Sequence, residues 1–197
     1  YEYPWGFDEL EGVASRTDYD LKKHAEHSGT KLSYFDQQKE DPETGKNGWR
    51  YTPFVIEPAA GATRGLLVYL LDAYHEETVP DAEGNESSRV VMKLHPKLAP
   101  IKTAVLPLVK KEGLPEIARE IVSDFLKAGI NARYDEQHSI GKRYRRHDEA
   151  GTPYCLTIDG QTKEDGTVTI RDRDTMEQKR IPSEKVVKTI QENLAFS

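Results

Sequence analysis

The chain has 197 residues, of which 36% are hydrophobic, and a formal net charge of −6. This length suffices for one large domain or two small ones, and no apolar run is long enough to span a bilayer, which excludes a membrane-spanning protein. A lone Cys155 excludes an internal disulfide and suits a reducing cytoplasm. The acidic balance argues against a general nucleic-acid binder. The charge is uneven, however: residues 1–94 hold 10 Lys/Arg and 18 Asp/Glu, and residues 95–197 hold 18 and 16.

The first half is predicted to contain strands, two helices and two polar loops. Thr17 or Asp18 can cap a helix that begins near Tyr19, and residues 65–74 are apolar nearly all round, which predicts a second helix buried in a sizeable core. The remaining predicted elements are a strand at 6–14, a loop at 36–48 with a turn at 41–45, a strand at 50–56 and an acidic loop at 76–88.

The second half alternates strands and helices, with Pro115 at a helix start, Gly129 at its end and Ser183 capping the last helix. The predicted elements are a strand at 103–109, a helix at 115–128, a strand at 131–134, a helix at 142–149, strands at 153–158 and 168–173, and a closing helix after 183. This order predicts an α/β layer with a mostly parallel or mixed sheet. A domain boundary is expected near residues 95–96, which gives domains 1–94 and 95–197.

One segment combines residues that suit phosphate chemistry. A strand ends in the carboxylate of Glu57, small residues follow, and Arg64 opens the apolar helix. Small residues let a backbone approach a ligand closely, and a helix N-terminus with an arginine favours anions. The pattern therefore indicates phosphate binding, with a tight strand–helix turn and a structural ion pair as the alternative.

The sequence resembles a known family. GATRGLLVYLLDAY is similar to motif 3 of class II aminoacyl-tRNA synthetases, and the preceding VIEPAAG resembles the version in glycyl-tRNA synthetases. Three further segments match in the family's order, namely WGFDELEGVASRTDYDLKKH, SIGKRYRRHDEAGTPYCLTID and TVTIRDRDTMEQKRIP. The resemblance covers most of the chain. It implies an α/β fold class: an α+β remnant of the class II antiparallel catalytic sheet in residues 1–94, then an α/β anticodon-binding domain with a mixed sheet in residues 95–197.

The resemblance also implies roles for individual residues. Arg64 matches the motif 3 arginine that contacts the ATP γ-phosphate, and is the expected catalytic residue. Glu57 matches a carboxylate that binds the glycine ammonium, and Arg16 matches an arginine that could hold the glycine carboxylate. The implied ATP-binding residues are Glu9, Leu10, Gly61, Ala62, Thr63 and Arg64. The implied glycine-binding residues are Glu57, Pro58, Ala59, Ala60, Gly61 and Arg16. Many relatives have serine where this chain has Ala59, so a hydroxyl contact to glycine is not expected.

The implied activity is that of a glycine–tRNA ligase, which joins glycine to tRNA(Gly) through glycyl-adenylate. ATP is the expected second substrate and Mg²⁺ the expected accompanying ion. A cytoplasmic homodimer is implied for the full-length protein, with no membrane partner. The chain opens on Tyr1 without a methionine and lacks the family's motifs 1 and 2. It is therefore expected to be the C-terminal part of a longer protein and inactive alone.

Basic residues of the second half are candidates for tRNA contact, because guanidinium groups pair with phosphates and stack on bases. The candidates are Lys142, Arg143, Arg145, Arg146, Arg171 and Arg173. The alternative is an exposed helix face whose charges pair with nearby carboxylates, those of Asp148, Glu149, Asp172 and Asp174. If the surface binds tRNA, charge reversal at Arg143 and Arg146 is expected to weaken that binding.

Other patterns indicate structure rather than chemistry. His24 and His27 share a helical face without nearby cysteines and are expected to be surface residues, and no metal site is expected. Cys155 lies in an apolar strand and is expected to be buried and inert. Two alternative functions remain open: a non-catalytic synthetase-like interaction protein, of the type of the mitochondrial DNA polymerase accessory subunit, and a free-standing anticodon-binding module.

Overall fold

A computed structural model describes residues 1–80 and 84–196. The chain divides into two compact units, Tyr1–Val68 and Tyr69–Ser197. The first unit contains β1 (Glu2–Tyr3), β2 (Gly6–Phe7), β3 (Glu11–Thr17), α1 (Tyr19–Ser28), β4 (Tyr34–Glu40), β5 (Asn47–Tyr51), β6 (Val55–Ala60) and the start of α2 (Ala62–Ala73). Its strands pair antiparallel as β1–β2, β3–β6 and β4–β5.

The helix predicted at Tyr19 is confirmed. Asp18 stands at its N-cap position, but its side chain makes no capping hydrogen bond. Gly29 ends the helix with a φ of 68° and donates its N–H to the Ala25 carbonyl at 3.0 Å. Two neighbouring predictions are wrong in extent. The segment 36–48 is a loop only around its turn, because β4 continues to Glu40 and β5 begins at Asn47. The single strand at 50–56 is instead the end of β5 and the start of β6, interrupted at Pro53, which has no N–H for a ladder.

The prediction of a buried second helix is wrong for this chain. The helix forms as α2, but Leu66 is 60% exposed and Tyr69 is 58% exposed. Of its residues only Ala73 is buried. The helix is apolar in composition, but no described element of the structure covers most of its surface.

The second unit begins with a hairpin where the sequence predicts an acidic loop. The hairpin is formed by β7 (Tyr74–Pro80) and β8 (Glu86–Met92), antiparallel with Tyr74 opposite Met92. The loop prediction is wrong because the many acidic residues of 76–88 obscure the strand, in which Val79 is buried. Arg89 and Val91, which are buried on β8, lie just beyond the predicted loop. Residues 81–83 of that predicted loop lie outside the described residues.

A five-stranded sheet organises the rest of this unit. Its elements are β9 (Thr103–Pro107), α3 (Leu114–Lys127), β10 (Ala132–Tyr134), α4 (Ile140–Glu149), β11 (Tyr154–Ile158), α5 (Gly160–Asp165), β12 (Thr167–Asp172), β13 (Gln178–Pro182), a 3-10 turn (Ser183–Lys185) and α6 (Val186–Phe196). The strand order is β10-β9-β11-β12-β13, in which β9 is parallel to β10 and β11, and the other pairs are antiparallel. The predicted α/β class with a mixed sheet is confirmed, and α5 and β13 are additions to the predicted elements.

Alternate residues of the central strands bury opposite faces of this sheet. Leu156 and Ile158 join a cluster with residues of α3 and α6, among them Phe125 and Ile190. On the other face a smaller cluster of Ala104, Leu106 and Cys155 is contacted by Ile140 and Tyr144, the apolar residues of α4. Burial of each large side chain contributes about 1.5–3 kcal/mol. The sheet therefore holds α4, with its many cationic residues, against one face.

Candidate functional site

Arg64 and the turn before it form a small cavity in the first unit. Gly61 is the single residue between β6 and α2, and a Cβ atom on it would lie 3.2 Å from Arg64 Cβ. Arg64 Nη1 donates to the Glu9 backbone carbonyl and lies 3.9 Å from Asp8 Oδ1. The cavity is about 370 Å³ in volume and is lined by Glu9, Leu10, Ala59, Ala60, Gly61, Thr63 and Arg64. Five of the six residues predicted to bind ATP thus lie together, and the sixth, Ala62, is not in the lining.

Arg16 and Glu57 approach each other across the β3–β6 pair. Arg16 Nε lies 3.7 Å from Glu57 Oε2, and their side chains are 43% and 51% exposed. Arg16 also forms a two-pronged ion pair with Asp20, with Nε–Oδ2 at 2.8 Å and Nη2–Oδ1 at 3.0 Å. The hydrogen bond to Asp20 raises the pKa of Arg16, and the same bond lowers the pKa of Asp20. This carboxylate was not predicted from the sequence, because Arg16 lies at the end of a strand and Asp20 at the start of a helix, so the four-residue spacing that pairs charges on one helix does not apply.

The remaining residues predicted to bind glycine lie on β6 and in the turn after it. Pro58 pairs with Val13 in the β3–β6 register, while Ala59, Ala60 and Gly61 line the cavity beside Arg64. Residues 57–64 therefore carry the Glu57 carboxylate and the Arg64 guanidinium within one short stretch of chain. The arrangement offers an anionic group for an ammonium, a cationic group for a carboxylate, and a second cationic group at a helix start for a phosphate.

The α4 cations differ sharply in exposure. Arg143 is 2% exposed, and its guanidinium donates to the carbonyls of Pro107 at 2.7 Å, Asp135 at 3.2 Å and Leu108 at 3.4 Å. Burial lowers its pKa. Lys142 is exposed, and the side chains of Arg145 and Arg146 are 33% and 40% exposed. Arg143 therefore supports the ends of the parallel strands rather than presenting its charge at the surface.

Arg171 on β12 and Arg173 just after it are also buried and paired. Arg171 donates to both carboxylate oxygens of Asp148, at 2.8 and 3.1 Å, and stacks over the Tyr144 ring at 4.8 Å. Burial opposes its charged form, but the hydrogen bonds to Asp148 prevail and its pKa is raised. Arg173 pairs with Asp174 at 2.8 Å and donates to the Leu94 and Gly151 carbonyls, both at 2.9 Å. These two arginines pair with nearby carboxylates, as in the alternative to tRNA contact, but they are buried rather than on an exposed face. Arg143 is also buried, with backbone carbonyls as its acceptors.

A groove of about 740 Å³ runs beside α4 in the second unit. Four of the six predicted tRNA-binding cations line it, namely Lys142, Arg145, Arg146 and Arg171. The hairpin contributes Pro80 and Ser87 to the lining, and among the lining residues that the structure describes Glu149 is the one carboxylate. An aromatic ring, that of Tyr144, is also in the lining, and its hydroxyl bonds to Thr157 Oγ1 at 2.6 Å. Cations with an interspersed aromatic side chain suit a polyanion that carries stacked bases.

Cys155, which is predicted to be inert, has a structural role. Cys155 is 2% exposed, and burial raises the pKa of its thiol to about 12, as expected for an inert cysteine. Across residues 1–80 and 84–196, no group of three or more His, Cys, Asp or Glu side chains could hold a metal ion. Within the same described part, no helix is long and apolar enough to cross a membrane.

Comparison with known proteins assigns the sheet of the second unit to a family. Residues 102–193 match the family described as "Anticodon binding domain". This range takes in every strand of the five-stranded sheet, together with α3, α4, α5 and most of α6. The second unit is thus built around an anticodon-binding domain.

Relatives that match along nearly the whole chain carry a common name. Glycine–tRNA ligase of Clostridium perfringens is 52% identical over 196 residues, which cover 100% of this chain and 40% of that protein. The glycine–tRNA ligase of Treponema denticola is 49% identical over 190 residues, covering 96% and 40%. That of Nocardia farcinica is 52% identical over 182 residues, covering 92% and 37%. Along nearly its whole length the chain is therefore similar to glycine–tRNA ligases, and it spans about two fifths of the length of these relatives.

Proposed function

We propose that this chain supplies part of the amino-acid activation site and the anticodon-binding domain of a glycine–tRNA ligase. The observation that carries the proposal is the cavity beside Arg64, where residues distant in sequence, Glu9 and Gly61 among them, surround one guanidinium. Relatives with this name match along 92–100% of the chain, which supports the same function. Glycine, ATP and tRNA(Gly) are the proposed substrates, and the full-length protein is proposed to be a cytoplasmic homodimer.

The chemistry of glycine explains the residues proposed to bind it. Glycine presents only an ammonium and a carboxylate, so Glu57 and Arg16 can take one each through charge-assisted hydrogen bonds. Discrimination against other amino acids must come mainly from excluding their larger side chains. Ala59, Ala60 and Gly61 are small, so the backbone lies close to the bound amino acid and leaves little room for a side chain. With Ala59 in place of serine, exclusion in this chain rests on backbone and packing.

The proposed reaction has two steps. An oxygen of the glycine carboxylate attacks the α-phosphorus of ATP, forming glycyl-adenylate and releasing pyrophosphate. A hydroxyl at the tRNA 3′ end then attacks the glycyl carbonyl, and AMP leaves with the bonding electrons. Arg64 would hold the γ-phosphate and neutralise its charge while the reacting groups are aligned. The described residues offer no three-carboxylate ligand set, so Mg²⁺ is proposed only as the ion that accompanies ATP.

The activation step is tested by glycine-dependent exchange of pyrophosphate into ATP, measured in the full-length protein that carries this sequence. Arg64→Gln is expected to lower the exchange rate by about 100-fold or more, because removal of one group that stabilises developing charge typically costs this much. Arg50→Gln is the matched control, since Arg50 is exposed and contacts Ser33 and Phe35 instead. A wild-type protein without glycine-dependent exchange would refute the proposal and favour the non-catalytic interaction protein.

The α4 groove is the proposed tRNA contact of the anticodon-binding domain. Lys142, Arg145 and Arg146 are its accessible cations, whereas the burial of Arg143 makes it unsuitable as a test of binding. Lys142→Glu and Arg145→Glu are each expected to weaken tRNA binding and to reduce the slope of log K against log salt by roughly 1 per lost phosphate contact. Lys188→Glu on α6, whose side chain is 79% exposed, is the control for a general charge effect. Equal losses in all three variants would remove this groove from the proposal.

A further inference from the structure

Arg16 occupies an irregular position at the end of β3. In the register with β6, Ser15 lies opposite Ile56 and Thr17 lies opposite Val55, so Arg16 is the additional residue of a β-bulge. Thr17, the second residue of the irregularity, has a φ of 54°. A β-branched residue in the left-handed region is strained, and such strain persists only where the surrounding structure imposes it. The backbone is therefore held in a particular shape where β3 passes into α1.

Asp20, in the first turn of α1, holds the guanidinium that this bulge presents. Its two oxygens accept from Nε and Nη2 of Arg16, at 2.8 and 3.0 Å. A two-pronged pair fixes the plane of the guanidinium as well as its position. Three N–H groups of Arg16 remain outside this pair, and 43% of the side chain is exposed, so a further anion can reach it.

Glu57 is the competing partner for the same guanidinium. Its Oε2 lies 3.7 Å from Arg16 Nε, the nitrogen that already donates to Asp20. If Arg16 turned to Glu57, the two charges proposed to bind glycine would neutralise each other. A carboxylate on α1 that satisfies Nε and Nη2 keeps the Glu57 oxygens available for an ammonium.

We propose that Asp20 is a positioning residue of the amino-acid site: it fixes Arg16 for the substrate carboxylate and prevents Arg16 from pairing fully with Glu57. This inference rests on the proposed function. It assigns Asp20 no contact with substrate and no part in the reaction itself. Its effect should therefore appear in the binding of glycine and not in the binding of ATP.

A purely structural pair would behave differently, and the chain offers one on the same helix. Asp18 and Lys22 form an ion pair at 2.6 Å with the same spacing of four residues, and neither is paired with Arg16 or Glu57. Loss of either pair could alter the stability of α1. Only loss of Asp20 would change the orientation of Arg16.

The test is pyrophosphate exchange in the full-length protein with Asp20→Asn, Asp18→Asn, Arg16→Ala and the Arg16→Ala/Asp20→Asn double variant. Asp20→Asn is expected to raise the KM for glycine about tenfold, with kcat and the KM for ATP changed by less than about twofold. Asp18→Asn should match the wild type. The double variant should be no worse than Arg16→Ala, because Asp20 acts only through that arginine. Asp20→Glu, which keeps the charge, should restore part of the glycine KM.

Each contrary outcome is decisive. An unchanged glycine KM in Asp20→Asn, an equal rise in Asp18→Asn, or additive losses in the double variant would overturn the role of Asp20 while leaving the proposed function intact. If Asp20→Asn fails to fold, Asp20→Glu must still show an altered glycine KM at an unchanged ATP KM, and a wild-type value overturns the role. A wild-type protein without glycine-dependent exchange would overturn both proposals.

Discussion

Replacement of Asp148 by asparagine tests whether the cations of the second unit are structural. Asp148 is fully buried and accepts from Arg171 at 2.8 and 3.1 Å. Its Oδ2 also lies 3.7 Å from Nε of Arg89, a residue that is 1% exposed. One carboxylate therefore helps to compensate two buried guanidinium groups, that of Arg171 from β12 and that of Arg89 from the β7–β8 hairpin. Arg89 has a second carboxylate partner in Glu77, whose Oε2 lies 3.5 Å from Nη2. Arg89 Nη2 donates in addition to the carbonyl of Arg173, the residue after β12, at 2.7 Å, so the hairpin is joined to the chain at the end of β12.

The expected magnitude follows from this burial. Removing one partner of a buried ion pair costs about 3–5 kcal/mol, because the other charge stays desolvated. Asparagine keeps the shape of aspartate and one acceptor oxygen, and the hydrogen bond to that oxygen reduces the loss by about 1 kcal/mol. Asp148→Asn should therefore lower the free energy of unfolding by about 3 kcal/mol and the Tm by roughly 10 °C.

Urea unfolding of the chain measures this loss. Both tryptophans, Trp5 and Trp49, lie in the first unit, and far-UV circular dichroism reports on both units, so amide exchange in β11 must report on the second. Asp124→Asn is the matched control, because Asp124 forms an exposed pair with Lys127 and its loss should cost less than about 0.5 kcal/mol. A loss below about 1 kcal/mol in Asp148→Asn at an unchanged m-value would refute the argument that this carboxylate compensates two buried charges.

Three further predictions concern the same unit. Gly151→Ala should lower the free energy of unfolding in urea by about 2 kcal/mol, because φ is 74° and a Cβ would lie 3.1 Å from the Met92 carbonyl oxygen. Gly141→Ala is the control, since a Cβ at this position of α4 meets open space and should leave the free energy of unfolding unchanged or raise it. The Cys155 thiol, with its pKa raised to about 12, should react with a disulfide reagent at pH 8 only after unfolding, and rapid native reaction would contradict its burial. Burial lowers the pKa of His147, against the raising effect of Asp135, so the unfolded chain binds a proton at this histidine more readily than the folded chain. The free energy of unfolding should therefore fall as pH drops below about 6.5. His147→Gln should reduce the slope of the free energy of unfolding against pH, and an unchanged slope would exclude the effect.

The second unit was largely predictable from its sequence because burial and periodicity agree there. All five residues of β9 and all five of β11 are buried, and α3 buries Leu114, Ala118, Ile121 and Phe125 at helical spacing. The elements missed are the six-residue helix α5 and the strands formed largely by polar residues. β13 pairs only with β12 at the sheet edge and carries Gln178, Lys179 and Arg180, so alternation of hydrophobicity gives little signal.

The candidate active site was predictable only in part. The segment from Glu57 to Arg64 carries enough chemistry to predict an anion site, and the structure brings Glu9 and Leu10 to the same cavity. What no local pattern could give is the β-bulge at Arg16, because it depends on the register between β3 and β6, strands about forty residues apart. Asp20 was missed for the same reason, since its importance appears only when Arg16 and Glu57 are seen to approach each other.

The basic stretch of α4 shows why composition alone misassigns charged residues. Arg143 and His147 are four residues apart, so they share a helix face, and the apolar residues Ile140 and Tyr144 that contact the sheet lie beside that face. Helical periodicity therefore predicts inward positions for the first pair and outward positions for Lys142, Arg145 and Arg146. Buried arginines can persist only where carbonyls or carboxylates satisfy them, as Pro107, Asp135 and Asp148 do here. A mutation scan that treats all six cations as one RNA-binding surface would thus confuse loss of folding with loss of binding, and only the outward set can separate the two.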